Sequence, residues 1–239
     1  MMTDNSRFSL HEAYILHSRS YKESSLIIDL FTRDYGRVSI IAKGVKKSKR
    51  SLLGLLQPFT PILVSWVGKG EMYTLTNVEL NGVFKYLYGT NLLCGYYVNE
   101  LILRFLHKED PYEILYTAYS KVISSLKSTK DIEPILRRFE CDLLQELGYG
   151  LNLIFDTDRG KQVETNRTYY FEIEHGPTLE QISETNIQVS GETLLSLECN
   201  NLVSKTTLLE SKKLMRHIIN HYLGGKPLKT HQLKWKYNV

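Results

Sequence analysis

The run SSLIIDLFTRDYGRVSIIAK, residues 24–43, is two strand-like segments around a tight turn. Residues 24–32 and 36–43 are dense in Ile, Val and Leu, and Asp34-Tyr35-Gly36 supplies the turn chemistry between them. The pair predicts an antiparallel hairpin. Working outward, EAYILHSR (12–19) comes first, separated from the pair by Tyr21-Lys22-Glu23. PILVSWVG (61–68) and EMYTLTNVEL (71–80) follow and form a second hairpin through Gly68-Lys69-Gly70. Five short strands within residues 11–80, with one long connection between the third and fourth, suit a small closed β-barrel of the OB type.

The long connection carries the charge. Residues 35–70 hold seven Lys or Arg and no Asp or Glu: Arg37, Lys43, Lys46, Lys47, Lys49, Arg50 and Lys69. Crowded cations repel one another, and a polyanion relieves that repulsion by releasing its own condensed counterions. The flanks are apolar (RVSIIAK before, LLGLLQPF after), so the loop is tied into a packed domain. Residues 1–80 contain 11 basic and 7 acidic residues, while residues 81–239 contain 19 of each. The excess of +4 therefore sits wholly in the first third, which marks an anion-binding N-terminal domain. Barrels of this kind bind single strands through a basic groove and aromatic platforms. Tyr35, in a turn, and Trp66 are the aromatic residues assigned to stacking.

After residue 81 the periodicity changes to that of helices. Leu93, Tyr97, Leu101 and Phe105 recur at i, i+4 within 87–106; Pro111 opens a second helix running to Leu126. A third starts at Asp131, with Pro134 in its first turn, and stops at Gly148. Residues 152–176 are polar and irregular apart from a strand at 168–171, and two further helices are expected at 191–198 and 205–223. The expected class is α+β: an OB-type barrel (1–80), a central helical domain (81–150), a small irregular module (151–180), and C-terminal helices packing on the helical domain (181–239).

Three widely spaced cysteines, Cys94, Cys141 and Cys199, form no CxxC pair and point to a reducing compartment. The N-terminal segment lacks the apolar run of a signal peptide, and no stretch approaches the ~18 apolar residues of a membrane span. A cytoplasmic protein with no membrane partner is expected. His217 and His221 stand one helical turn apart without an HExxH context, and LGGKPLKT lacks phosphate-loop spacing.

Four segments, taken in order, resemble the RecO recombination-mediator family: ILHSRSYKESSLIIDLFTRDYGRVSIIAKGVKKSKRS; LLQPFTPILVSW with GKGEMYTL; LRRFECDLLQELGYGLNL; and YLGGKPLKTHQL. The resemblance spans nearly the whole chain. It implies an OB barrel with a helical domain, binding to single- and double-stranded DNA, and annealing of complementary strands. It also implies partners: the acidic C-terminal tail of single-strand-binding protein (SSB), RecR and, indirectly, RecA, in a nucleoid-associated setting. Many relatives carry a four-cysteine zinc module after the LGYG segment. Residues 152–176 contain no cysteine here, so neither zinc nor any cofactor is expected. Recognition of a tail that ends in a free carboxylate calls for an arginine at the rim of an apolar groove. On the LRRFECDLL helix these roles fall to Arg137, with Leu136 and Phe139 as groove walls, although Arg137 and Arg138 have Glu133 and Glu140 as ordinary helix-surface partners. No catalytic residue is expected. The rival readings are an OB-type RNA-binding module, or a metal-dependent nuclease, which would need clustered carboxylates that the basic stretch does not have.

Overall fold

The computed structural model describes residues 6–46, 50–68, 72–83, 85–129 and 131–231. The first five strands are β1 (Ser6–Tyr21), β2 (Ser25–Thr32), β3 (Gly36–Ala42), β4 (Pro61–Gly68) and β5 (Tyr73–Leu80). They close in the order β1-β2-β3-β5-β4, with β4 returning to pair with β1. Both expected hairpins form: Thr32 opposes Gly36 at one turn, and Val67 opposes Thr74 at the other. Closure depends on a short parallel seam in which Ile40 opposes Tyr73 and Ile41 opposes Thr74. A feature absent from the sequence reading is α1 (Arg50–Leu55), a six-residue helix on the β3–β4 connection. Its Leu52, Leu53 and Leu55 pack against the barrel core.

Alternation decides what fills the barrel. Val38, Ile40 and Ala42 of β3 point inward with Ile28 and Leu30 of β2 and Ile62 and Val64 of β4. Trp66 continues the β4 series and is 1% exposed, stacked on Phe8 at 5.0 Å between ring centres.

The chain separates into two compact units. The first runs to Ser128 and takes the chain back from Leu228; the second is Thr129–Pro227. The helices α2 (Gly89–Phe105) and α3 (Glu113–Leu126) thus belong with the barrel. Their docking is polar as well as apolar. Buried Asn99 donates to the carbonyl of Leu16 at 2.8 Å and accepts from the Tyr119 hydroxyl at 2.6 Å. Tyr14 and Phe31, on the outer barrel face, pack against Tyr116 and Tyr119. After α2 the chain passes β3 so closely that a Cβ on Gly36 would lie 1.8 Å from the Asp110 carbonyl oxygen. Gly36 has φ of +59°, so both the turn and the close approach require glycine there. The returning strand of chain is held at Glu100, whose carboxylate accepts from Lys229 N, Thr230 N and Thr230 Oγ1 at 2.7–2.9 Å.

The second unit comprises α4 (Ile132–Glu146), a sheet of β6 (Thr168–Glu172), β7 (Gly176–Thr178) and β8 (Ile187–Ser190) in the order β7-β6-β8, and the helices α5 (Gly191–Glu198) and α6 (Lys205–Tyr222). The two outer strands of that sheet are short, and their sequences did not stand out as strands. Segment 152–176 is organised by apolar packing: Leu153, Val163, Tyr169 and Phe171 share one core with Leu194, Leu214 and Ile218. The α5 and α6 starts are capped by Ser190 and Ser204, each accepting from the backbone N–H three residues on.

Candidate nucleic-acid interface

In an antiparallel meander the first turn and the end of the third strand fall at the same end. Here the backbone N–H of Lys46 donates to the Ser24 carbonyl at 3.1 Å, fastening the chain beyond β3 to the β1–β2 turn. Lys43 and Lys46 are exposed at this end. The register adds two cations from elsewhere in the sequence. Arg19 of β1 opposes Ile27, which opposes Ile41 of β3, so Arg19 stands on the outer face in the same row. Lys22, in the turn, is exposed, with its ammonium 5.5 Å from the Tyr21 ring centre. Arg19, Lys22, Lys43 and Lys46 therefore share one end of the barrel, with Glu23 as the carboxylate in the turn between them. Arg19 and Lys22 were missed in sequence because they precede the acid-free stretch. The meander topology itself was the signal that could have found them.

Not all predicted site residues belong here. Lys47, Lys49 and Lys69 lie outside the described residues, and of Arg50 only the backbone, which opens α1, is described. Arg37 is corrected. It faces outward as expected, but that face is covered, and its guanidinium Nη1 donates to the carbonyls of Leu103 and of Leu106 (3.1 Å for the latter) at the C-terminus of α2. Burial lowers its pKa, partly countered by the charge of Asp29. Arg37 is a tie between barrel and helix. Trp66 is also corrected, since it lies inside the barrel. Tyr35, half-buried, sits edge-on to Phe8, His11 and Trp66 with ring centres 4.8–5.7 Å apart, so it closes the end of the core. Neither ring is a free platform for a base.

The expected peptide groove on α4 is likewise corrected. Arg137 is 5% exposed, and its guanidinium bonds Glu140 Oε1 at 2.5 Å, with Glu133 at 3.4 Å. Leu136 is 6% exposed and Phe139 fully buried. Arg137 is thus half of an interior ion pair, and the bland pairing with its helix neighbours is the one realised. The sequence placed Arg137 beside the apolar face, and there, at the edge of the buried set Leu136, Phe139, Glu140, Leu143 and Leu144, it is itself covered.

Among the described residues no three His, Cys, Asp or Glu side chains converge as a metal site would require. Asp29 accepts from Ser39 at 2.6 Å and Asp34 contacts His11 at 2.8 Å. Burial lowers the pKa of His217, and His221 lowers it further. Burial pushes the Cys141 thiol up to about 12, assisted by Glu140 and Asp142. No helix among the described residues is long and apolar enough to cross a membrane.

The chain matches two family models: recombination protein O, N-terminal, over residues 8–84, and recombination protein O, C-terminal, over residues 88–232. It is 44% identical to the DNA repair protein RecO of Nitrosospira multiformis over 235 residues, covering 98% of this chain and 97% of that one. Against the DNA repair protein RecO of Nitrosococcus oceani, identity is 42% over 229 residues, 95% and 93% of the two chains. The counterpart from Aromatoleum aromaticum is 40% identical over 233 residues, 97% of each chain.

Proposed function

Because the chain belongs to the recombination protein O family of DNA repair proteins, we propose that it is a non-enzymatic mediator that binds DNA through its N-terminal barrel and anneals complementary strands. The observation that carries this reading is the gathering of Arg19, Lys22, Lys43 and Lys46 at one end of a barrel whose strand order is that of an OB fold. Two strands repel through their phosphates. A surface that neutralises both backbones lowers that barrier without breaking any bond, so no nucleophile, general acid or bound nucleotide is called for. Single- and double-stranded DNA both present the phosphates such a surface takes.

The protein acts, on this reading, at DNA coated by SSB, engaging the acidic tail of SSB and working with RecR so that RecA can load. With Arg137 interior, the tail requires a surface other than the one the α4 sequence suggested. On this reading the protein works in the cytoplasm, at the nucleoid. Apolar packing of Leu153, Val163, Tyr169 and Phe171 supports reading residues 152–176 as a module that needs no zinc.

The test is annealing of complementary fluorescent oligonucleotides, with and without SSB, across a salt series. Four neutralised phosphates on a single strand give a slope of log affinity against log salt of about −3. Replacing Arg19, Lys22, Lys43 and Lys46 together with Ala should remove most of that slope for every sequence alike and slow annealing. A slope unchanged by the four substitutions, or tighter binding to RNA than to DNA of the same sequence, refutes the assignment.

A further inference from the structure

The connection between β5 and α2 has a composition that barrel closure does not demand. Tyr86 is 61% exposed and Tyr88 73% exposed, their ring centres 6.0 Å apart. Between them Leu87 is 5% exposed and anchored so tightly to α2 that a Cβ on Gly95 would lie 2.8 Å from it. Leu87 thus fixes the segment, and its two neighbours are left on the outside. These rings are presented by a held chain.

Beside them lies a cleft of about 420 Å³ whose walls include Lys85, Lys127, Ser120, Ser124 and Ser128. The hydrogen bond from Asn91 of α2 to the Leu126 carbonyl, 2.7 Å, brings the start of α2 to the end of α3, where Lys127 stands. The Lys127 ammonium donates to the Phe59 carbonyl at 2.8 Å, and the Phe59 ring in turn meets exposed Tyr96 edge-on at 5.1 Å. Burial lowers the Lys127 pKa, and Lys85 lowers it further, so the two ammonium groups repel within one cleft. Glu12 is the carboxylate on the cleft wall, and it is already engaged by Arg33 at 3.6 Å and Asn81 at 3.3 Å. Two cations with hydroxyls around them and one committed acid suit a phosphate. Exposed tyrosine rings next to them suit bases that are not already stacked in a duplex.

From the juxtaposition of exposed Tyr86 and Tyr88 with the Lys85–Lys127 cleft we infer that this segment is a second DNA site, selective for an unpaired strand, with bases on the tyrosines and a phosphate between the lysines. It rests on the DNA-binding reading above and adds strand selectivity to it. The basic barrel end neutralises any backbone, whereas this site requires splayed bases. It also gives two places for nucleic acid on one unit, as an annealing protein needs.

The test uses the full chain carrying Tyr86→Ala with Tyr88→Ala, titrated by anisotropy against an oligothymidine strand and against a hairpin duplex. Each stacked base lost weakens binding roughly 5- to 150-fold, so the strand should lose at least tenfold while the duplex changes less than about twofold. The double Phe variant should bind the strand as the wild type does, and Lys85→Ala should lower the single-strand salt slope by about 0.7. Single-strand affinity unchanged by the Ala pair overturns this site and leaves the barrel-end reading standing; the tyrosines then serve a protein partner. Equal losses on strand and duplex overturn the selectivity. Wild-type protein that binds neither probe overturns both.

Discussion

Replacing Arg37 with Ala separates a structural tie from a DNA contact. Its guanidinium serves the carbonyls of Leu103 and Leu106 at the end of α2, where the helix dipole also favours a cation. Charge-assisted hydrogen bonds contribute about 1.5–3 kcal/mol each. Arg37 is half-buried, so water recovers part of that loss in the variant, and the expected cost is about 2–3 kcal/mol for the pair. Lys in its place supplies one point charge rather than a fork and should recover less than half. The chain has two tryptophans, and in a Trp235→Phe background the fluorescence of Trp66, inside the barrel, follows the unfolding of this unit alone. Urea unfolding should show the lowered midpoint with an unchanged slope. The salt dependence of single-strand binding, measured on the same protein, should not move. A stability within about 0.5 kcal/mol of wild type together with a salt slope reduced by about 0.7 would refute the argument and return Arg37 to the DNA surface.

Other outcomes follow from the second unit. Arg137→Met removes the guanidinium that faces the buried Glu140 carboxylate and should cost about 3–5 kcal/mol, whereas Arg137→Met with Glu140→Leu should recover most of it; a single variant as stable as wild type would contradict the burial of the pair. The Glu210 carboxyl is partly buried, which raises its pKa, but bonds from Ser190 and Thr193 outweigh this and hold it below the usual carboxylate range. Its contribution is therefore present above the unfolded-state carboxylate pKa and is lost as pH falls through the lower folded value, so Glu210→Gln should destabilise at neutral pH and flatten the acid limb of a stability–pH curve. Elemental analysis of the purified protein should find less than one zinc per chain, and a chelator should leave the melting temperature unchanged.

Much of the barrel was legible because β-branched residues and turn residues alternate along one short stretch of chain. The inward aim of Trp66 was legible too: Ile62, Val64 and Trp66 recur with a period of two, and that pattern outweighs an aromatic residue's general aptitude for stacking. Arg37 was not legible. Its outward orientation could be read, but the cover comes from α2, more than sixty residues later, and no local pattern encodes it. The helix α1 escaped because six residues give no amphipathic period to detect, and β7 because three residues give no alternation. Arg137 shows a different difficulty. A charged residue at the edge of an apolar stripe looks like a rim residue until a partner for its charge is placed beside it and that edge is covered.

The return of the chain at Leu228 sets an order on biosynthesis. Glu100 meets Lys229 and Thr230 only after the whole of Thr129–Pro227 has been translated. While the ribosome is still working, the intervening unit has every residue it needs before the barrel-bearing one does. The nascent protein thus gains this native clasp on the barrel-bearing unit only after the intervening unit has been made.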